Sequence, residues 1–226
     1  MNGILIVDKP AGMTSHDVVD FIRRRFKIKK VGHAGTLDPM ATGVLVMLLG
    51  RFTKESARLS GHDKEYAGRM VLGARSDTGD RDGKITRDPS HPVSISLDEI
   101  KNVFGEFTGE ISQIPPMYSA VKMKGRKMYE LARRGIEVER MPKKVVIKSL
   151  IVKGFEPPFV DFEVVCSKGT YVRQLSADIG QRLGCGAYLE SLRRLSSGDS
   201  TIQRAESFDK LQTMSLEDLE RRLIRI

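Results

Sequence analysis

Three glycines and a proline punctuate the segment Gly32-His-Ala-Gly-Thr-Leu-Asp38-Pro-Met-Ala-Thr-Gly43, and the apolar run Val44 to Leu49 follows it directly. Glycine admits backbone shapes closed to other residues, and proline fixes its own φ. An uninterrupted apolar run of this length reads as a buried strand. The pattern therefore predicts a loop anchored to a core, presenting His33 and Asp38 from a rigid base. Asp-Pro and Gly are also ordinary turn chemistry, so this loop taken alone is compatible with a plain corner.

A chain of 226 residues buries roughly 70–75% of its unfolded surface, enough to fold without a disulfide or metal staple. One domain covering 1–226 is the expectation, with 199–226 a short extension of about 30 residues, too short for a domain of its own. The 38 Lys and Arg outnumber 29 Asp and Glu, giving a net charge of +9 and an isoelectric point near 9.6. That excess points to a polyanionic partner, nucleic acid first. Cys166 and Cys185 stand far apart without a second metal-ligating pair, which argues against structural zinc and for a reducing compartment. No apolar stretch approaches the ~18 residues of a membrane span, and no charged-then-apolar leader is seen, so a cytoplasmic protein is expected.

Gly3 to Val7 reads as a buried strand. Thr14 or Ser15 then caps a helix whose Val18, Val19, Ile22 and Phe26 share one face. Arg23, Arg24, Arg25 and Lys27 line its other face, as solvated surface or as a phosphate-contacting stripe with Lys29 and Lys30. Lys64 to Gly73 alternates as a strand, and the polar segment Ala74 to Pro92 reads as a long surface loop. A short helix is predicted over 97–104. A basic stretch with Lys122, Lys124, Arg126 and Lys127 leads to a helix over 128–134. Two strands, 145–155 and 159–166, are joined through Pro157-Pro158, and an amphipathic helix spans 170–183. Ser215 to Ile226 reads as a single amphipathic helix. Strands interleaved with helices, without repeats, define one α+β domain with a mixed, largely antiparallel sheet.

The segments KP-x-G-x-TS at Lys9 to Ser15, GHAGTLDPMATGVL at Gly32 to Leu45 and KGTYVRQLSADIG at Lys168 to Gly180 together resemble the TruB family, the bacterial tRNA pseudouridine-55 synthases. The resemblance extends to KEYAGRMVLGARSDTGDRDG, IPPMYSAVKMKGRKMYELARRG and YLESLRRLSSG, and so runs almost end to end. It implies the pseudouridine synthase fold, with helices flanking the sheet. It implies the T-stem-loop of tRNA as substrate, and Asp38 as the catalytic residue. Tyr66 matches the family tyrosine that stacks on the target base, Tyr171 a second tyrosine lining the pocket, and Arg173 the cation paired with the aspartate. Leu192 matches an apolar pocket residue, and His33 a residue that contacts RNA beside the flipped nucleotide. Lys9 and Pro10 match a segment supporting the floor of the site, where Lys9 pairs with an acidic neighbour or a phosphate. The family commonly carries a further small RNA-binding module after the catalytic domain, which the short 199–226 segment is not expected to supply.

Pseudouridylation breaks the N1–C1′ bond, turns the uracil and rejoins it through C5. It is redox-neutral and donates no group, so no cofactor or metal is expected, and a monomer without an obligatory protein partner suffices. The step needs a carboxylate that attacks or stabilises a cationic sugar, and a partner cation to keep that carboxylate ionised in a dry pocket. The uridine must first leave its stack, which costs a few kcal/mol. Two other classes remain at this point. A non-catalytic RNA-binding or tRNA-folding protein would use the same basic surface without Asp38. A glycosidase-like hydrolase would need a second acid, for which Asp77, Asp80, Asp82 and Asp178 are the candidates. An archaeal-type synthase working within a guide-RNA particle is the nearest relative to separate, and the short C-terminus counts against it.

Overall fold

The computed structural model describes residues 1–87, 94–117, 122–123, 126–127 and 139–225. In chain order the strands are β1 (Gly3–Lys9), β2 (Val31–Ala34), β3 (Thr42–Leu49), β4 (Lys64–Leu72), β5 (Ala74–Ser76), β6 (Ile85–Arg87), β7 (Gly109–Gln113), β8 (Lys122–Met123), β9 (Arg126–Lys127), β10 (Lys143–Glu156), β11 (Phe159–Cys166), β12 (Ala187–Ser197), β13 (Ser200–Thr201) and β14 (Glu206–Ser207). The described helices are α1 (Ser15–Phe26), α2 (Ser56–Ser60), α3 (Leu97–Glu106), α4 (Val172–Arg182), α5 (Phe208–Thr213) and α6 (Leu216–Arg222). The class is α+β with a large, mostly antiparallel mixed sheet, as the sequence pattern predicts.

Two compact units make up the chain, Met1–Ala67 with Leu192–Ile226, and Gly68–Ser191. In the first, β1 lies antiparallel to β3 from Gly3↔Leu49 to Lys9↔Gly43, and β14 joins the far side of β1 in parallel. On its other side β3 pairs with β2, antiparallel, and with β12, parallel, at Arg193↔Thr42 and Arg194↔Gly43. Residues 44–49 are buried throughout because both faces of this strand are covered. One face packs Ile4, Ile6, Val44, Val46 and Leu48 with Phe52 and Leu59. Helix α1 starts on a capping box, in which Thr14 accepts from the Asp17 amide and Asp17 from that of Thr14. Its buried side chains are Ser15, Val18, Val19, Ile22 and Phe26.

In the second unit β10 is flanked antiparallel by β11 and β7. The strand β11 alternates strictly, with Val160, Phe162, Val164 and Cys166 buried. Phe162 meets Phe104 of α3 edge-on at 6.3 Å. An ion pair joins Arg182 at the end of α4 to Glu106 at the end of α3, at 2.6 Å.

Four local expectations change. His33 does not lie in a loop: it sits on β2 opposite Met47, because the long apolar β3 recruits a partner along half its length. The 74–92 segment is not surface throughout: β5 and β6 form a hairpin, and Asp80 within it is 5% exposed and bridges to Leu189. Its polar groups satisfy one another, which removes the cost that made burial implausible from composition. The C-terminal helix stops at Arg222, since Leu223 turns extended and Ile224 exchanges two backbone hydrogen bonds with Ile4. The basic face of α1 is partly spoken for: Arg23 donates to the Val31 carbonyl, and Arg25 to those of Gln212 and Met214. The helix expected at 128–134 lies outside the described residues.

Candidate active site

The Asp38 loop is held by its backbone. Arg194 comes off β12, 1% exposed, and its guanidinium donates to the carbonyls of Gly35 (3.0 Å), Thr36 (3.4 Å) and Val44 (2.6 Å). Ser15 both donates its hydroxyl to the Leu37 carbonyl and accepts the Leu37 amide. The Asp38 carbonyl accepts from the Ala41 amide at 3.1 Å, closing a turn with Pro39 in the position that favours its fixed φ. The Pro39 carbonyl accepts from the Gly12 amide and from the Lys9 ammonium. Carbonyls 35 to 39 are thus all engaged, while Leu37, Met40 and Ala41 bury their side chains. Asp38 itself is half-buried on this loop.

Lys9 is fully buried. Its ammonium donates to Pro10 (2.8 Å), Met13 (2.7 Å) and Pro39 (3.2 Å), filling the three donor positions it has. The lysine therefore buttresses the loop from beneath rather than reaching a phosphate. Burial pushes its pKa down from 10.5 to about 8, with the Asp38 carboxylate drawing it back up and Arg194 lowering it further. Turnover is accordingly expected to fall as pH rises through about 8, where the ammonium loses its charge and one donor. Stability should move the other way. Between pH 8 and 10.5 the unfolded chain holds this proton more tightly than the folded one, so this group stabilises the fold as pH rises through that window. A pH–rate profile beside a pH–melting series separates the two. Lys9→Met should be slower and lack the alkaline limb, and a wild-type profile flat to pH 9.5 contradicts the assignment.

His33 donates no charge at neutral pH: burial lowers its pKa, and Arg194 and His16 lower it further. Its Nδ1 is buried without a hydrogen-bond partner, and its carbonyl accepts from Ser56. Tyr66 on β4 and Leu192 on β12 are both buried, in the same unit as Asp38.

Tyr171 and Arg173 open α4 in the second unit. Arg173 is buried and directs Nη1 at the Thr78 carbonyl (3.3 Å) and the Asp80 carboxylate (3.4 Å). Asp80 also accepts from the Thr78 hydroxyl at 2.6 Å and from the Asp82 amide at 3.1 Å. Its carboxylate is committed to holding the arginine, which argues against Asp80 as the second acid of a hydrolase. Asp77 accepts the Lys84 amide, and burial raises the pKa of Asp178 while Gln174 lowers it. Among the described residues no group of His, Cys, Asp and Glu side chains comes together as a metal site, and no helix is long and apolar enough to cross a membrane.

Sequence reasoning missed Arg194, and it named Asp80 only as a candidate acid, not as the buried partner of Arg173. Arg194 is one of two adjacent arginines in SLRRL, and its neighbour Arg193 pairs with Asp8 at 2.6 Å, half-exposed. Strand alternation says that one of the pair points inward, and only the pairing with Gly43 says which. Asp80 was hidden by the polar composition around it.

The frame matches known proteins. A Cbf5-Nop10-Gar1 complex contains a chain 30% identical with a TM-score of 0.76, over 98% of this chain and 59% of that one. An H/ACA RNP bound to a substrate RNA containing 2′-deoxyuridine gives 28% identity and a TM-score of 0.69, over 99% and 58%. The present chain thus spans under two thirds of those solved chains. This α+β frame is that of the pseudouridine synthases. The model for the TruB family pseudouridylate synthase N-terminal domain matches residues 23–172, and that for the tRNA pseudouridylate synthase B C-terminal domain matches 173–225. The tRNA pseudouridine synthase B of Syntrophotalea carbinolica is 49% identical over all of this chain and 74% of its own length. That of Opitutus terrae is 44% identical over 100% and 93%. The chain belongs to the TruB family.

Proposed function

We propose that this chain isomerises the uridine at position 55 of the tRNA T-loop to pseudouridine, as a single chain in the cytoplasm and without a cofactor. The observation that carries the reading is the Asp38 loop, whose five successive carbonyls from Gly35 to Pro39 are all engaged, so that the backbone holds Asp38 in a fixed place. Membership of the TruB family and relatives named tRNA pseudouridine synthase B support the substrate. In the reaction the N1–C1′ bond breaks, C5 bonds to C1′, and the proton lost from C5 is balanced by one gained at N1. Asp38 serves as nucleophile or as the anion that stabilises the detached sugar. Arg173 is assigned to keep that carboxylate charged and aimed, since its planar fork suits a carboxylate. Tyr66, Tyr171 and Leu192 are assigned to receive the flipped base and offset the cost of unstacking. His33 is assigned to the RNA beside the flipped nucleotide, as a neutral imidazole. Lys9 acts through the loop it supports.

The test is tritium release from a tRNA transcript labelled at C5 of uridine, with no added metal or cofactor, beside light scattering of the protein alone and with tRNA. Release of one equivalent per tRNA, lost when U55 alone is replaced, is the expected result. Tight binding without release would favour the tRNA-folding reading.

A further inference from the structure

Gln113 is 2% exposed at the end of β7, opposite Lys143 of β10. A buried carboxamide carries two donors and an acceptor that need partners. Here the acceptor and one donor find theirs on one residue: Oε1 accepts the Tyr171 amide at 2.8 Å, and Nε2 donates to the Tyr171 carbonyl at 3.1 Å. The side chain imitates the peptide group of a neighbouring strand, closing both bonds on a single backbone unit.

That unit is where α4 begins. Tyr171 is the residue before the helix, extended at φ −103° and ψ 105°, with no side-chain cap. Its carbonyl also accepts the Leu175 amide at 3.0 Å, the first helical hydrogen bond. Arg173 follows two residues later, its guanidinium on Thr78 and Asp80. The turn at Gly79 lies flush on it, since a Cβ there would stand 3.3 Å from the Arg173 carbonyl. The 78–80 turn thus holds Arg173, and Gln113 holds the Tyr171 peptide from which the helix starts.

We propose that Gln113 is a positioning residue for pseudouridylation: by fixing the Tyr171 peptide it sets where α4 starts, and with it the aim of the Tyr171 ring and the Arg173 guanidinium. The inference rests on the assignment of Tyr171 and Arg173 to the substrate pocket. It distinguishes among replacements by hydrogen bonding rather than size. Methionine loses both bonds. A glutamate carboxylate keeps the acceptor for the amide but turns a second oxygen on the Tyr171 carbonyl. Protonated, the same side chain regains a donor and mimics glutamine. Burial and the facing carbonyl both raise the pKa of such a carboxyl, bringing the switch toward neutral pH.

The experiment compares wild type, Gln113→Met, Gln113→Glu and Arg173→Ala on C5-tritiated tRNA. Single-turnover rate at saturating enzyme, tRNA Kd and melting temperature are read from pH 5.5 to 8.5. Gln113→Met is expected to slow turnover at least thirtyfold with Kd within threefold. Gln113→Glu should be equally slow at pH 8 and recover at least fivefold relative to wild type at pH 6. Should Gln113→Met fail to fold, the pH response of Gln113→Glu decides. Rates within threefold of wild type in the glutamine variants, with Arg173→Ala inactive, would overturn the role of Gln113 alone. So would a loss that is independent of pH and follows melting temperature. A fully active Arg173→Ala would remove the pocket assignment beneath it.

Discussion

Asp38→Asn is expected to fold, bind tRNA within a few-fold of wild type, and lose at least about a thousandfold in turnover, roughly 4 kcal/mol of transition-state stabilisation. The loop geometry is the reason the two effects separate. Its carbonyls are held by Arg194, Ser15, Ala41, Gly12 and Lys9, and none of these bonds uses the Asp38 side chain. An isosteric amide keeps the size of the side chain and leaves all of these backbone bonds in place. What it lacks is the negative charge, and with it any means of attacking or stabilising a sugar cation. Tritium release, tRNA binding and melting temperature measured on the same preparation read the three properties apart. Turnover within tenfold of wild type would remove Asp38 from the chemistry and restore the tRNA-folding alternative, under which the residue is dispensable.

Gly43→Ala is expected to destabilise the protein by about 2–6 kcal/mol. Gly43 holds φ at +99°, a conformation that costs a residue with a Cβ about 1–3 kcal/mol. The added Cβ would also lie 2.2 Å from the Arg194 carbonyl oxygen and 2.8 Å from its amide nitrogen. These are backbone atoms of a paired strand, so no rotamer change relieves the contact, and overpacking adds about 1–3 kcal/mol. For a chain of this size the sum corresponds to a fall of roughly 10 °C in melting temperature. The close approach of β3 and β12 also brings Arg194 beneath the Asp38 loop, so residual folded protein should turn over slowly as well. Thermal denaturation decides the point, and a loss under about 1 kcal/mol would mean that the two strands do not approach this closely in solution.

The parts of this fold that periodicity governs were legible in advance. Val44 to Leu49 reads as a buried strand because both of its faces are apolar, and α1 reads as a helix because Val18, Val19, Ile22 and Phe26 recur at helical spacing. The strands around Pro157-Pro158 follow from alternation. Where competing partners decide, the pattern misleads. Ser215 to Ile226 carries leucines at helical spacing, yet Ile224 leaves the helix because the edge of β1 offers Ile4 as a backbone partner. Asp80 looks like surface among Asp, Gly and Arg, yet Thr78, the Asp82 amide and Arg173 together make its burial favourable.

The site divides along the same line. Asp38 could be singled out because the chemistry asks for a carboxylate on a rigid loop, whereas Tyr66, Tyr171 and Arg173 are singled out only by the resemblance of their segments to the TruB family. The residues that aim them could not. Lys9 was visible as a cation, but a sequence does not say whether an ammonium meets a phosphate or three carbonyls. Arg194, Ser15 and Gln113 act on backbone groups 158, 22 and 58 residues away along the chain. A side chain's type limits what bonds it can make, and the sequence by itself determined that much, together with the strands and helices whose periodicity is clear and the α+β class. Which distant peptide group each donor reaches depends on the register and approach of strands folded far from it, and only the tertiary structure decided that.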